Sequence, residues 1–445
     1  MGKNSEMIDL NKKYTYFPWM PQESVAPIAV DRAKGIYFWD AEGKRYIDFS
    51  SQLVLANIGH GDERINRAIM QQMEKFHYMN PVHATQVRGD LGRMISEITP
   101  GDLNKTFFTL GGAEAIENAM KIARQYTGKQ KIIARYRAYH GATFASGEAG
   151  GDPRRASTEA SVGWMIHMHD PYSYRSPLYR HCTPEEGDMM LCDLLEDTIR
   201  LEGPNSVAAV LLEGYSGSSG VIAPSSSKYW QRVRQICDKY NVVLICDEVM
   251  SGFGRTGKWF GINHYDIVPD IMVMAKGLTS GYLPLGAVVT NNKIAQHYEK
   301  NSFACGLTYS AHAVSCAAAI ATINVYKEDK LIENSAAMGE YMFKKLSELK
   351  ERHPSIGEFR GKGLHWCVEL VKNQRTKEEM SEWNKPLSKP MADFASYLKT
   401  NGISTMVRWS HVYLCPPLCI NKQQIDEALA IYGHALEITD AATSA

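Results

Sequence analysis

The sequence predicts an α/β protein, with a large domain built on a central, mostly parallel sheet flanked by helices and a smaller α+β domain. Three observations carry this. Residues 207–212, 242–246 and 271–275 are short apolar runs between turn formers, and each stops on charged residues: Glu213, Asp247-Glu248 and Lys276. Runs of that length rich in β-branched and aliphatic residues read as strands buried on both faces. A fourth run, Phe107-Phe108-Thr109-Leu110, meets a Gly111-Gly112 turn and then good helix formers through Arg124. Beyond about Leu331 the pattern changes to alternating helix and strand segments.

Length and charge narrow the possibilities. At 445 residues the chain suffices for one large and one smaller domain. We expect residues 1–60 to form an N-terminal arm and small-domain strands, 61–330 the large domain, and 331–445 the C-terminal part of the small domain. Lys plus Arg and Asp plus Glu both number 49, so nothing points to nucleic acid or an acidic membrane surface. Nine cysteines without metal-site spacing suit reduced thiols in a cytoplasmic protein. The polar first residues lack an apolar leader segment, and no run reaches transmembrane length.

In chain order, residues 35–40 and 44–49 read as strands joined through Ala41-Glu42-Gly43. Ile65, Ala68, Ile69 and Met73 recur at helical spacing over 62–76. The Gly-Gly turn at 111–112 opens a helix, whose free N–H groups and positive dipole end suit a phosphate. Residues 131–135 form the next strand. Gly150 to Arg155 is a turn with two adjacent cations, Arg154 and Arg155, either of which could grip an anionic substrate tail. An Ala-rich helix spans 313–326. Helices over 338–350 and 391–399 and strands over 364–370, 403–407 and 412–417 complete the small domain.

Ligands of parallel sheets sit past the carboxyl ends of the strands. Asp247 and Lys276, at two such ends, can therefore meet one small molecule. An acid beside a ring nitrogen and an amine that condenses with an aldehyde is what pyridoxal 5'-phosphate requires. Two competing readings fall away. His167-Met168-His169 could chelate from a strand, but no third ligand accompanies it, so no metal is expected. Gly252 to Lys258 fits the start of a P-loop, but Trp259 stands where a Ser or Thr should hold magnesium.

The text Asp247-Glu248-Val249-Met250-Ser251-Gly252-Phe253-Gly254-Arg255-Thr256-Gly257, followed by Ala275-Lys276-Gly277-Leu278, resembles the signature of class III (ω-type) aminotransferases, of fold-type I. The likeness runs from about Gly35 to Pro417. It implies that Lys276 and Asp247 are catalytic, and that Gly112, Ala113, Tyr139, His140, Glu213, Val249 and Thr308 join them in holding the cofactor. Tyr139 would stack on the pyridine, and Thr308 would reach the cofactor of a neighbouring subunit, which implies a homodimer or dimer of dimers with shared sites. Arg408 matches the family arginine that grips the 2-oxo acid carboxylate, and Trp19 and Arg154 are the remaining candidates for substrate contact.

Two departures stand out. Gly111 replaces a family Ser, and Ser218 stands where members acting on γ-aminobutyrate or ornithine carry a carboxylate that pairs with the substrate-binding arginine. The expected partners are an amino donor, taurine or β-alanine, and a 2-oxo acid acceptor, 2-oxoglutarate or pyruvate, used in ping-pong order through Lys276. The alternatives are other amines or diamines as donors, or an aminomutase or decarboxylase reaction on the same cofactor. A non-enzymatic binding protein is disfavoured by the intact Lys276, Asp247 and phosphate cradle.

Overall fold

Seven strands form the central sheet, in the spatial order Lys105–Thr109, Gly286–Thr290, Ile271–Met274, Val243–Asp247, Val207–Glu213, Lys131–Arg135, Met165–Met168. Only Gly286–Thr290 runs antiparallel to its neighbours, so the sheet is mostly parallel, as the sequence predicts. The structure is a computed structural model and describes residues 2–158 and 163–444.

The apolar runs form strands because both of their faces are covered. Ile245, Val273 and Val288 pack into one core with Ile116, Ala119, Met120 and Ala123 of the helix Gly112–Thr127. Their sequence neighbours Leu244, Cys246, Met272 and Val289 turn to the opposite face and a second core, which includes Trp230, Val233 and Ile236 of the helix Ser227–Tyr240. Side chains alternate along a strand, so only a run apolar at every position satisfies both cores. Each such buried Val, Leu or Ile contributes about 1.5–3 kcal/mol relative to exposure.

The expected helices are present, with shifted ends. The helix foreseen over 338–350 spans Leu331–Arg352, because its first two turns bury Leu331 and Ser335. A helix over Lys3–Tyr14 buries nothing and gave no periodic signal. The strand foreseen over 403–407 is two strands in two sheets. Ile403–Ser404 pairs in parallel with Ile47 and Asp48, whereas Val407–Arg408 pairs antiparallel with His411 and Val412. The chain changes sheets between them, where the Thr405 hydroxyl reaches the carbonyl oxygens of Phe49 and Tyr413.

Two smaller sheets accompany the central one. The first orders Val30–Lys34, Tyr37–Asp40, Arg45–Asp48 and Ile403–Ser404; the second orders Ile356–Lys362, His365–Asn373, His411–Leu414 and Val407–Arg408. All nine cysteines are free. Among the described residues no helix is long and apolar enough to cross a membrane.

Candidate active site

Three adjacent strand ends converge. Glu213 pairs with Asp247 across one ladder and Asp247 with Val273 across the next, so Lys276 follows three residues beyond that register. Lys276 leaves its strand with φ of +43°, a left-handed conformation that is costly for a side chain of its size. Strain of this kind persists only where the surroundings impose it. Here the next turn is fixed by the Tyr326 hydroxyl, which donates to the Gly277 carbonyl at 2.8 Å, and by the Leu278 N–H, which donates to Ala275 at 2.9 Å.

The Asp247 carboxylate is buried and held at both oxygens. The Val249 N–H donates to Oδ1 at 2.9 Å, and His140 Nδ1 lies 2.7 Å from Oδ2. Burial disfavours the His140 imidazolium, but the Asp247 carboxylate outweighs it and raises the His140 pKa. Burial pushes the Glu213 carboxyl up to about 7, with His140 pulling the other way. For Lys276, burial lowers the amine to about 8 against the opposing pull of Asp247 and Glu213.

These groups line a cavity of about 250 Å³ together with Gly112, Ala113, Tyr139, Gly141, Val249 and Met250. The helix Gly112–Thr127 begins at its wall, where first-turn N–H groups have no acceptor within the helix. A Cβ at Gly112 would lie 3.2 and 3.3 Å from the two Val249 methyl groups, so turn and strand end pack closely here and a larger residue would make Val249 shift. From the same helix Glu117 accepts the N–H groups of Ala145 and Ser146 at 3.0 and 2.9 Å, which fixes the segment after Tyr139 and His140 against the cradle.

Tyr139 lines a second, smaller cavity as well, shared with Trp19, Asp152, Arg154 and Arg155. The Arg154 guanidinium lies 3.7 Å from the Tyr139 ring centroid, and Trp19 meets that ring edge-on at 6.4 Å. Trp19 is half exposed, so it forms a rim and not a buried wall. Arg155 instead lies over Tyr136, 5.5 Å from its ring. Arg408 enters from the second small sheet; its Nη1 donates to the Ser218 carbonyl at 3.2 Å and sits 3.5 Å from Asp152.

Thr308 is not brought to this site within one chain. It is exposed and lines a separate cleft with Tyr78, Val82, Phe303 and Leu307, where its carbonyl accepts the Tyr78 hydroxyl. His167 and His169 flank the Tyr136 ring, and no cluster of three or more metal-ligating side chains occurs among the described residues.

Sequence reasoning missed two contributors. Asp152 carries no motif of its own, only its place before Pro153-Arg154. Glu248, beside Asp247, is wholly buried and accepts the N–H groups of Gly261 and Ile262 at 2.8 and 2.7 Å. It shapes the turn that carries the following glycines.

The residues fit pyridoxal 5'-phosphate on their own chemistry. A buried amine with a lowered pKa faces the cavity, an anchored carboxylate lies on its wall, and a helix N-terminus opens onto it. Among the buried polar atoms around it, His140 Nε2 and Glu213 Oε2 have no hydrogen-bond partner. A large domain of this topology with such a site is a fold-type I pyridoxal phosphate-dependent transferase.

The chain belongs to the class-III aminotransferase family, whose model it matches over residues 19–436. It is 37% identical, with a TM-score of 0.93 and 98% of both chains covered, to the crystal structure of taurine:2-oxoglutarate aminotransferase from Bifidobacterium kashiwanohense in complex with pyridoxal phosphate and glutamate. An (S)-enantioselective ω-transaminase from Thermomicrobium roseum is 34% identical, with a TM-score of 0.92 and 99% of both chains covered. Putrescine–pyruvate aminotransferase of Pseudomonas aeruginosa is 34% identical over 429 residues, 94% of this chain and 92% of the relative. The protein is an aminotransferase, and its cofactor is pyridoxal phosphate.

Bound, that cofactor supplies an aldehyde to condense with amines and a ring that accepts the electron pair released when a substrate proton leaves. Each protein group has a matching task. With the cofactor bound, the neutral amine of Lys276 would be the group placed to act as nucleophile and as the base that carries a substrate proton. Asp247, held by Val249 and His140, would be the carboxylate that faces the cofactor's ring nitrogen. Tyr139 offers a flat face worth about 0.5–1.5 kcal/mol beyond burial. The first turn at Gly112 and Ala113 would hold the phosphate by backbone donors, which do not depend on a hydroxyl at position 111.

Proposed function

We propose that this enzyme transfers the amino group of a short ω-amino acid, taurine or its carboxylate analogue β-alanine, to 2-oxoglutarate or pyruvate. One observation carries the reading: Arg154 and Arg408 lie together beside Tyr139, which, with Gly141 and Ala142, lines both the Lys276 cavity and its rim. An ω-amino acid places its acid group farther from the reacting carbon than a 2-oxo acid does, so two anion contacts at different reach suit a pocket that takes both in turn. Charge-assisted contacts to a carboxylate or sulfonate are the strong ones. Arg408 serves the oxo acid, Arg154 the donor's distal anion, and Trp19 the pocket rim. Ser218, lacking the carboxylate expected there, ranks γ-aminobutyrate and ornithine below taurine.

The sites are read as shared between subunits of a cytoplasmic homodimer or dimer of dimers, with Thr308 serving the neighbouring cofactor.

A half-reaction screen tests the substrate. The holoenzyme receives taurine, β-alanine, γ-aminobutyrate, putrescine or alanine without an oxo acid, and loss of the visible cofactor band is followed. Taurine or β-alanine should bleach it fastest. γ-Aminobutyrate belongs in the screen because a rice relative, 32% identical over 430 residues, is named a probable γ-aminobutyrate transaminase. A band unchanged by both taurine and β-alanine but lost with putrescine would replace this reading with a diamine donor.

A further inference from the structure

Asp152 stands between the two arginines. Its side chain is buried, and its Oδ1 accepts the Arg154 N–H at 3.0 Å, capping the short turn Pro153–Ser157. Arg154 Nε lies 3.1 Å from each carboxylate oxygen, and Arg154 Nη2 binds Oδ2. Arg408 brings its Nη1 to 3.5 Å from that same Oδ2. One carboxylate oxygen is thus shared by two guanidinium groups from segments far apart in the chain.

Capping a turn requires the backbone contact alone. The pairing with Arg408 is a separate feature with a separate consequence. Two neighbouring cations repel, and burial adds to the cost of keeping both charged. A single buried carboxylate between them offsets most of that cost, yet leaves the group with one net positive charge. Such a group is stable alone and still attracts one more anion. The position expected to carry the balancing carboxylate is Ser218, which offers Arg408 only its main-chain carbonyl.

We propose that Asp152 is the counter-ion of this arginine pair, holding Arg408 when the bound substrate presents no anion and yielding it when a carboxylate or sulfonate enters. This rests on Arg154 and Arg408 forming the substrate anion site. It assigns the balancing charge to the loop after Tyr139 in place of the segment around Ser218. It would also let the pocket admit amines without a distal anion, because the arginines are already screened. Asp152 is therefore a positioning and specificity residue, acting through Arg408.

Asp152→Asn removes the charge but keeps an oxygen for the Arg154 N–H. The probe is inorganic sulfate, titrated into the purified holoenzyme and read by tryptophan fluorescence and by the shift in melting temperature. Sulfate should bind at least about tenfold tighter to D152N than to the wild type, the scale of one charge-assisted contact. Adding Arg408→Leu to D152N should remove most of that gain. In steady state, KM for whichever 2-oxo acid the wild type accepts should fall in D152N relative to KM for propylamine.

A purely structural cap predicts no change in sulfate affinity. Dissociation constants within about twofold of each other, in a variant melting as the wild type does, would overturn the proposal. So would an undiminished gain in the double variant. Should D152N melt far below the wild type, Asp152→Ser repeats the titration with a capping oxygen and no charge, and failure of both to fold would mark Asp152 as structural only. The outcome is separable from the substrate reading. A wild type bleached by no amine in the screen would defeat that reading, whereas the sulfate titration reports on the arginine pair alone.

Discussion

Lys276 has to be two things at once, a charged group cheap enough to bury and a neutral amine free to attack. Burial settles the conflict by lowering its pKa to about 8, although Asp247 and Glu213 pull the other way. The ordinary value is 10.5, so an exposed lysine is almost wholly protonated near pH 8. Only the neutral form would be able to condense with an aldehyde, and its fraction grows as pH rises through the folded pKa. The rate at which the apoprotein captures pyridoxal phosphate should therefore climb with pH and pass its half-maximum near 8. Stopped-flow absorbance on cofactor-free protein over about pH 6–10 measures it. A rate still rising steeply above pH 9.5 or so, as for an unperturbed amine, would show that burial does not set the nucleophile.

Between the strands and helices, one side chain ties three segments together. Arg255 is fully buried and donates to the Leu364 and Pro416 carbonyls at 3.0 and 2.6 Å, to Ser51 Oγ at 3.0 Å and to Asn57 Oδ1 at 2.7 Å. It thereby joins the loop after Asp247 to the N-terminal segment and to both small-domain approaches. Arg255→Met should destabilise the protein by about 3–5 kcal/mol, since four buried acceptors lose a charged donor. Arg255→Lys should recover only part of that, because a point-like ammonium cannot span the planar fork. The midpoint of chemical unfolding measures both; a change under roughly 1 kcal/mol for Met would mean the acceptors find other partners. From the sequence, Arg255 was one letter of a motif that also mimicked a P-loop. Strand ends such as Asp247 and Lys276 were legible because double-sided burial writes itself as an unbroken apolar run. The partners of Arg255, the pairing of Asp152 with Arg408 and the change of sheet between Ser404 and Val407 were not, since each depends on segments that meet only in three dimensions and leave no local periodicity.

At the scale of the whole molecule, the single chain holds the amine, the carboxylate and the cradle at one site, and Thr308 at another. The cleft around Thr308 is about 830 Å³ and is lined by Tyr78, Val82, Phe107, Phe303 and Leu307, several of them partly or well exposed. Apolar side chains left on a surface beside a residue expected at a neighbour's phosphate suit a face that a second copy covers. If sites are shared in this way, each cofactor is served by Lys276 of one subunit and Thr308 of the other. A Lys276→Ala homodimer should be inactive, because the nucleophile and proton carrier is missing, a loss of at least roughly 10²–10⁴-fold. A Thr308→Ala homodimer should load cofactor weakly. In a mixed dimer one site combines both lesions and the other has neither, so co-refolding the two variants should restore up to half of the wild-type activity per mixed dimer. Activity that stays at the level of the parents, once subunit exchange is verified by mass, would confine Thr308 to its own chain.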